Sequence, residues 1–268
     1  MTEAPFDLDR IGGWRALRDL VDEVLASGEI ALKMYSGGAA ARVQAKPDRS
    51  PVTEADRAVE EKLRAYLERS FPGVGFFGEE TGSSGEGAPM RFLVDPIDGT
   101  RAFIRGLPTW SILVALEAEG IPSIGIAYMP AAGDLFVGIR GHGADCNGRP
   151  CHVSKVATLD AALVSHGGLQ QFTDTGQDGM LLRLSKSTYT CRGFADFDGY
   201  RQLLLGKCDA MVDPGIQPYD VGAAAVLVRE AGGTFTSIAG EATIHGGSGL
   251  ASNGAIHEAL VRALRGDA

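Results

Sequence analysis

Three groups of carboxylates stand where the sequence changes character. Gly78-Glu79-Glu80 follows the aromatic pair Phe76-Phe77, so two adjacent acids emerge at the edge of a buried segment, where like charges repel and lose solvent. In Asp95-Pro96-Ile97-Asp98-Gly99-Thr100, the apolar run from Arg91 reads as a strand that delivers Asp95. Pro96 then fixes φ and forces a turn, and Asp98 lands three residues on. Two carboxylates so spaced can converge on one point. Gly99 and Thr100 open a short helix through Phe103-Ile104, whose first N–H groups suit a phosphate. Pro218-Tyr219-Asp220 opens the apolar helix Val221 to Val228. Each group also has an ordinary explanation. Glu79-Glu80 can be a solvated turn, Asp95 a turn former, and Asp98 and Asp220 helix caps. Taken together, an acid–turn–acid unit with two distant acids, all at element ends, is what a hard cation such as Mg²⁺ requires: a few oxygen ligands beside retained waters.

The elements that must hold these acids follow from periodicity. Trp14, Leu17, Val21, Val24 and Leu25 give a helix from Gly13 that Gly37-Gly38 ends. Val59, Leu63, Tyr66 and Leu67 give a second helix from Thr53, stopped at Phe71-Pro72-Gly73. Lys46 to Ser50, between them, reads as a loop or hairpin, and Gly82 to Gly87 as a mobile loop. Ser111 to Leu116, Ser123 to Tyr128 and Leu135 to Ile139 are strand-like runs separated by Gly/Pro turns, an antiparallel meander. Beyond about Ser154, strands (Ala161 to Ser165, Ala210 to Val212) alternate with helices (Phe197 to Leu205, Asp220 to Ala231, Ala255 to Leu264). The expected fold class is α/β, with an α+β half (1–153) and an α/β half (154–268) in one compact unit.

Composition bounds the function. With 268 residues, 44% hydrophobic and 22% charged, the chain is an ordinary globular protein. Its formal charge of −9 argues against nucleic acid, which favours a basic surplus. No run approaches the roughly 18 apolar residues of a membrane span. Met1 to Arg10 lacks the order of a signal peptide, so no membrane and a cytoplasmic location are expected. Cys146, Cys151, Cys191 and Cys208 form no C-x-x-C pair and read as reduced structural thiols. His142, His152, His166, His245 and His257 are scattered and read as structural.

Glu79-Glu80, the run Asp95 to Thr100, and Tyr219-Asp220 leading into Ala-Ala-Val-Leu-Val-Arg-Glu-Ala-Gly-Gly233 resemble the inositol monophosphatase superfamily over nearly the whole chain. The resemblance implies a layered αβαβα sandwich, Mg²⁺-dependent hydrolysis of small phosphomonoesters with two to three ions per site, and a homodimer. It further implies metal ligation by Glu79, Asp95, the Ile97 carbonyl, Asp98 and Asp220. Glu79 and Thr100 would orient the attacking water, with Asp56 behind Thr100, while the Gly99 and Thr100 amides would hold the phosphate. Asp56 can equally close a capping box with Thr53, and both readings stand. Glu80 and Lys46 would lie behind the ligands.

The continuation Arg101-Ala102-Phe103-Ile104-Arg105-Gly106-Leu-Pro-Thr-Trp110, with Lys46-Pro-Asp-x-Ser-Pro-Val-Thr-Glu-Ala-Asp56, is most similar to the histidinol-phosphate phosphatase branch. Histidinol phosphate carries an amine and an imidazole, so acids in the alcohol pocket make physical sense. Asp196 and Asp213 are the candidates, Asp198 less so, with Arg192 nearby or merely paired to one of them. For Asp196 and Asp213 a surface acid or helix cap remains equally open. Ala195 replaces a glycine of the relatives. The alternatives are a phosphatase for inositol or another polyol or nucleotide phosphate, and a non-catalytic metal-binding relative.

Overall fold

The computed structural model describes residues 3–36, 43–45 and 51–266. Helix α1 (Gly13–Ser36) forms where Leu17, Leu20, Val24 and Ala31 recur on one side and bury it. Two short strands, β1 (Val43–Ala45) and β2 (Pro51–Thr53), pair antiparallel with Val43 opposite Thr53, the arms of the expected hairpin. Lys46 lies outside the described residues. Helix α2 (Glu54–Ser70) starts at a capping box, in which the Thr53 side chain accepts from the helix and Asp56 accepts from the Thr53 N–H.

The next strands are β3 (Gly75–Gly78), β4 (Gly82–Ser84) and β5 (Met90–Asp98). Gly82–Ser84 therefore belongs to an edge strand paired with β3, where a loop was expected. Strand β5 continues through Pro96 to Asp98 instead of turning at Asp95. A bulge between Asp95 and Asp98 absorbs the residue that cannot donate. After the short helix α3 (Thr100–Ile104) the meander follows: β6 (Ser111–Ala118), β7 (Ile121–Met129), β8 (Asp134–Ile139), β9 (Gly143–Cys146) and β10 (Arg149–Pro150). These eight strands form one sheet, β10-β9-β8-β7-β6-β5-β3-β4, antiparallel except for the β3–β5 pair.

The remaining chain gives β11 (Leu163–His166), α4 (Leu169–Asp174), α5 (Asp178–Ser187), β12 (Thr190–Arg192), α6 (Asp196–Leu204), β13 (Ala210–Pro214), α7 (Pro218–Glu230), β14 (Thr234–Thr236), β15 (Ser248–Ser252) and α8 (His257–Arg265). Its five-stranded sheet runs β12-β11-β13-β15-β14, with β12, β11 and β13 parallel and β15 antiparallel to both neighbours.

Strand alternation sets the layers. On β5, Phe92 and Val94 pack in the core with α1 and α2, whereas Leu93 faces the core that holds Phe197 of α6 and Val221 of α7. On β13, Met211 faces that same central core, while Ala210 and Val212 turn outward to Leu184 of α5 and Leu260 of α8. The order is helices, large sheet, α6 and α7, small sheet, helices: the layered αβαβα sandwich. Helix α7 is buried from Val221 to Val228 and lies at backbone distance from the large sheet. A Cβ on Gly125 would come 2.5 Å from the Ala223 carbonyl oxygen.

Candidate active site

The acids meet where β5, α6, β13 and α7 come together. A cavity of about 450 Å³ is lined by Glu79, Asp95, Ile97, Asp98, Gly99 and Thr100 from the large sheet and its exit, and by Asp196, Asp213 and Asp220 from beyond it. Among the described residues, six carboxylates and one guanidinium-bearing residue, Arg101, line it.

Each carboxylate is aimed by local structure. Asp95 follows Leu93 on the inner face of β5, and its Oδ1 accepts from the Ile97 N–H at 3.0 Å. Past the bulge, Asp98 Oδ2 accepts from Ser111 Oγ and from the Phe197 N–H, both at 2.8 Å. Gly99 then adopts φ +79°, which a side chain would strain, and turns the chain into α3. Asp220 is the third residue of α7, after Pro218, rather than its cap. Its Oδ2 accepts from the Gln217 N–H at 2.6 Å, which leaves the rest of the carboxylate facing the cavity.

Burial and mutual repulsion raise these acids above the ordinary carboxylate range. Asp95 is pushed well up by loss of solvent first, then by Glu79, Asp98 and Asp220. Asp98 rises for the same first reason and through Asp196, partly offset by the Phe197 N–H and Ser111. Asp220 is pushed up to about 7, again mainly by burial. Asp196 reaches about 6, with Arg101 pulling it back.

Thr100 Oγ1 lies 3.3 Å from Asp56 Oδ1 and 3.0 Å from the Ile97 carbonyl, so Asp56 serves both the capping box and the threonine. Asp213 lies on the inner face of β13. Gln171 Nε2 donates to it at 3.1 Å, while Gln171 Oε1 accepts from the Gly168 N–H at 2.5 Å, which orients the amide. Asp213 packs so tightly on Gly167 that a Cβ there would fall 2.2 Å from its Oδ1. Ala195 (φ +57°) and Asp196 (φ +46°) are both left-handed, a strained pair that places the Asp196 carboxylate over Gly99 and the Phe197 N–H on Asp98.

Other expected residues lie apart. Arg192 is exposed and donates to Thr190 Oγ1 and the Cys191 carbonyl, away from the cavity wall. Asp198 is paired with Arg201 at 3.2 Å and with Gln202. Glu80, expected behind the ligands rather than among them, does not itself line the cavity. No histidine lines it either; His257, for example, is held by Thr236 and Ser252. The four cysteines are free thiols, and burial pushes Cys146 to about 11 and Cys151 and Cys208 to about 12.

Sequence reasoning missed Gln171, Tyr200 and Glu60. Glu60 is wholly buried, and its carboxylate accepts from the N–H groups of Glu80 (2.8 Å) and Thr81 (2.6 Å), fixing the turn that presents Glu79. An acid beside Val59 on the apolar stripe of α2 was the available signal.

Whether a cation fits is decided by the donor set. Glu79, Asp95, Asp98, Asp220 and the Ile97 carbonyl are hard oxygen donors, and several buried carboxylates around one cavity need protons or cations to coexist. Among the described residues, no three His, Cys, Asp or Glu side chains close on one point as a finished cage would. The acids ring an open cavity instead, which suits ions that keep water and substrate oxygens as ligands.

A layered α/β protein with such a cavity falls in the class of phosphoric monoester hydrolases, and comparison with known proteins agrees. The chain belongs to the inositol monophosphatase family, whose model matches residues 17–267. It is 37% identical over 254 residues to a histidinol-phosphatase of Mycobacterium tuberculosis, covering 93% of this chain and 95% of the relative. To an inositol-1-monophosphatase of Mesorhizobium japonicum it is 31% identical over 226 residues, 80% and 82% of the two chains. The solved IMPase of Thermotoga maritima superposes with a TM-score of 0.84 at 28% identity, covering 94% of this chain and 98% of that one.

Proposed function

We propose that the enzyme is a Mg²⁺-dependent phosphatase for histidinol phosphate, releasing histidinol and phosphate in histidine biosynthesis. The observation that carries the substrate is the acidic alcohol side: Asp196 and Asp213 line the same cavity as the proposed metal ligands, and a cationic alcohol would be held there. The higher identity to the histidinol-phosphatase than to the inositol-1-monophosphatase supports it.

Glu79, Asp95, the Ile97 carbonyl, Asp98 and Asp220 would hold two to three ions, with Asp95 able to serve more than one. Such ions supply charge neutralisation for phosphoryl oxygens and acidify water at neutral pH. The chain's own groups then position. The Gly99 and Thr100 amides bind a phosphate oxygen at the start of α3. Thr100 Oγ1, with its proton directed to Asp56 Oδ1, presents a lone pair toward the cavity and accepts from the attacking water. Glu79 takes that water's other hydrogen bond and fixes its approach in line with the ester bond. Asp196 and Asp213 hold the alcohol.

The site draws on residues from both 1–153 and 154–268, which supports reading the two halves as one working unit. A homodimer is supported by the exposed Leu169, Leu182 and Tyr189 around α4, α5 and β12. A cytoplasmic location is supported by the free thiols, and no helix among the described residues is long and apolar enough to cross a membrane.

The test is a turnover panel with Mg²⁺: histidinol phosphate, inositol 1-phosphate, fructose bisphosphate and adenosine bisphosphate. Histidinol phosphate is expected to give the highest kcat/KM, and any other leader overturns the substrate. Asp98→Asn is expected to lower kcat by at least about a hundredfold. Wild-type turnover in that variant would overturn the mechanism.

A further inference from the structure

Tyr200 lies in α6, the helix that also carries Asp196 of the alcohol side. Its side chain is 1% exposed, it lines the cavity, and its hydroxyl has no hydrogen-bond partner among the described residues. Room behind it is absent: a Cβ on Gly249 of β15 would sit 2.8 Å from the phenol oxygen, with Ile216 and Phe235 beside it. The Tyr200 ring stacks on Phe197, whose N–H is bound by Asp98, so the phenol is fixed by packing at both ends. Nearby Asp213 is already engaged by Gln171.

A buried hydroxyl with no partner is costly and is rarely retained without one. Tyr200 itself is part of the lining of the cavity that receives the ligand. Burial first, and then Asp213, Asp98 and Asp220, hold the phenol well above its ordinary range, so it keeps its proton and remains a donor. We propose that the Tyr200 hydroxyl donates a hydrogen bond to a nitrogen or oxygen acceptor on the alcohol portion of the bound ester, and so selects esters that carry one. For histidinol phosphate the acceptor is the unprotonated imidazole nitrogen, with Asp213 or Asp196 taking the cationic or N–H side. That placement rests on the phosphatase reading above. A phenol that keeps its proton and carboxylates that accept one make complementary demands on an alcohol bearing both kinds of group. A site built around such a bond discriminates against analogues that lack the acceptor.

The test compares wild-type and Tyr200→Phe enzyme, each saturated with Mg²⁺, on histidinol phosphate, inositol 1-phosphate and phenyl phosphate, which has no acceptor on its alcohol. Tyr200→Phe is expected to lower kcat/KM for histidinol phosphate by roughly tenfold, mainly through KM, with phenyl phosphate changed less than about twofold. Because the hydroxyl has no partner among the described residues, the variant's melting temperature is expected to stay level or rise. Calorimetric binding of histidinol itself is expected to weaken by a similar factor. Equal losses on all esters with a lowered melting temperature would mean that the phenol supports the fold, and no change on any ester would mean that water satisfies it. Either result overturns the proposal. If wild-type enzyme prefers inositol 1-phosphate, the substrate assignment fails separately, and the role of Tyr200 is then decided by the inositol-to-phenyl ratio alone.

Discussion

At the scale of single residues, the site depends on side chains that touch no ligand. Glu60 is the clearest. Its buried carboxylate accepts two backbone N–H groups from the Glu80–Thr81 turn, and a Cβ on Gly78 would fall 2.6 Å from its Oε1. Glu60→Gln keeps the shape but turns an NH₂ group toward one of those donors. It is expected to cost about 1–3 kcal/mol in urea unfolding and to lower kcat several-fold as Glu79 loses its fixed aim. Unchanged unfolding would show that the turn stands without it. Gly167 offers a second case. With no side chain it admits Asp213 Oδ1 into the space a Cβ would occupy, so Gly167→Ala is expected to displace Asp213. KM for a cationic alcohol ester should rise by about tenfold while phenyl phosphate is spared. Equal effects on both esters would place the damage in the fold instead. Glu60 left only the trace of an acid beside the apolar stripe of α2, and Gly167 left none, because both act through close approaches between segments remote in the chain. Glu79, Asp95, Asp98 and Asp220 could, because each sits at the end of a strongly patterned element, and those ends meet in the fold.

At the scale of elements, helix α7 determines whether the acids meet at all. Asp220 is on its first turn, while the large sheet carries Asp95 and Asp98. The helix must therefore lie close to the sheet for the two groups to share a cavity. The small residues at that contact make this possible. Gly125 of β7 meets the Ala223 backbone, and Gly222 lies where a Cβ would come 2.9 Å from Leu93 and 3.0 Å from Ala115. Gly125→Ala is expected to destabilise by about 1–3 kcal/mol, as overpacking of a tight core does. By moving the N-terminus of α7 off the sheet, it should also weaken Mg²⁺ activation several-fold. Loss of stability with unaltered Mg²⁺ dependence would show that the helix rotates without moving its start. The sequence signalled this helix through its apolar run but began it at Asp220; Pro218 at the first position and the Gln217–Asp220 bond move the start two residues earlier. It likewise ended β5 at Asp95, since a proline ordinarily breaks a strand. A bulge at the exit of the strand tolerates it and brings Asp98 round to the same cavity.

Over the whole molecule, the charge of −9 is unevenly distributed, with six carboxylates among the described residues drawn around one cavity. In the metal-free enzyme this opposes folding. Asp220 at about 7 and Asp196 at about 6 are both raised from the unfolded carboxylate value of about 4. Between those limits the folded state binds more protons than the unfolded one, so its stability falls as pH rises from about 4 to about 7. Buried His257 works in the opposite sense: burial lowers it, so acidification favours the unfolded state there. A plain comparison of melting temperatures would mix the two, and the difference made by Mg²⁺ separates them. Cations and protons compete for the same oxygens, whereas His257 lies outside the cavity. The rise in melting temperature on adding Mg²⁺ is expected to be larger at pH 8 than at pH 5.5, measured by scanning calorimetry. Asp98→Asn should shrink the rise at both. A rise independent of pH would mean that the ion binds away from these acids, and the concentration of negative charge at the cavity would then need another explanation.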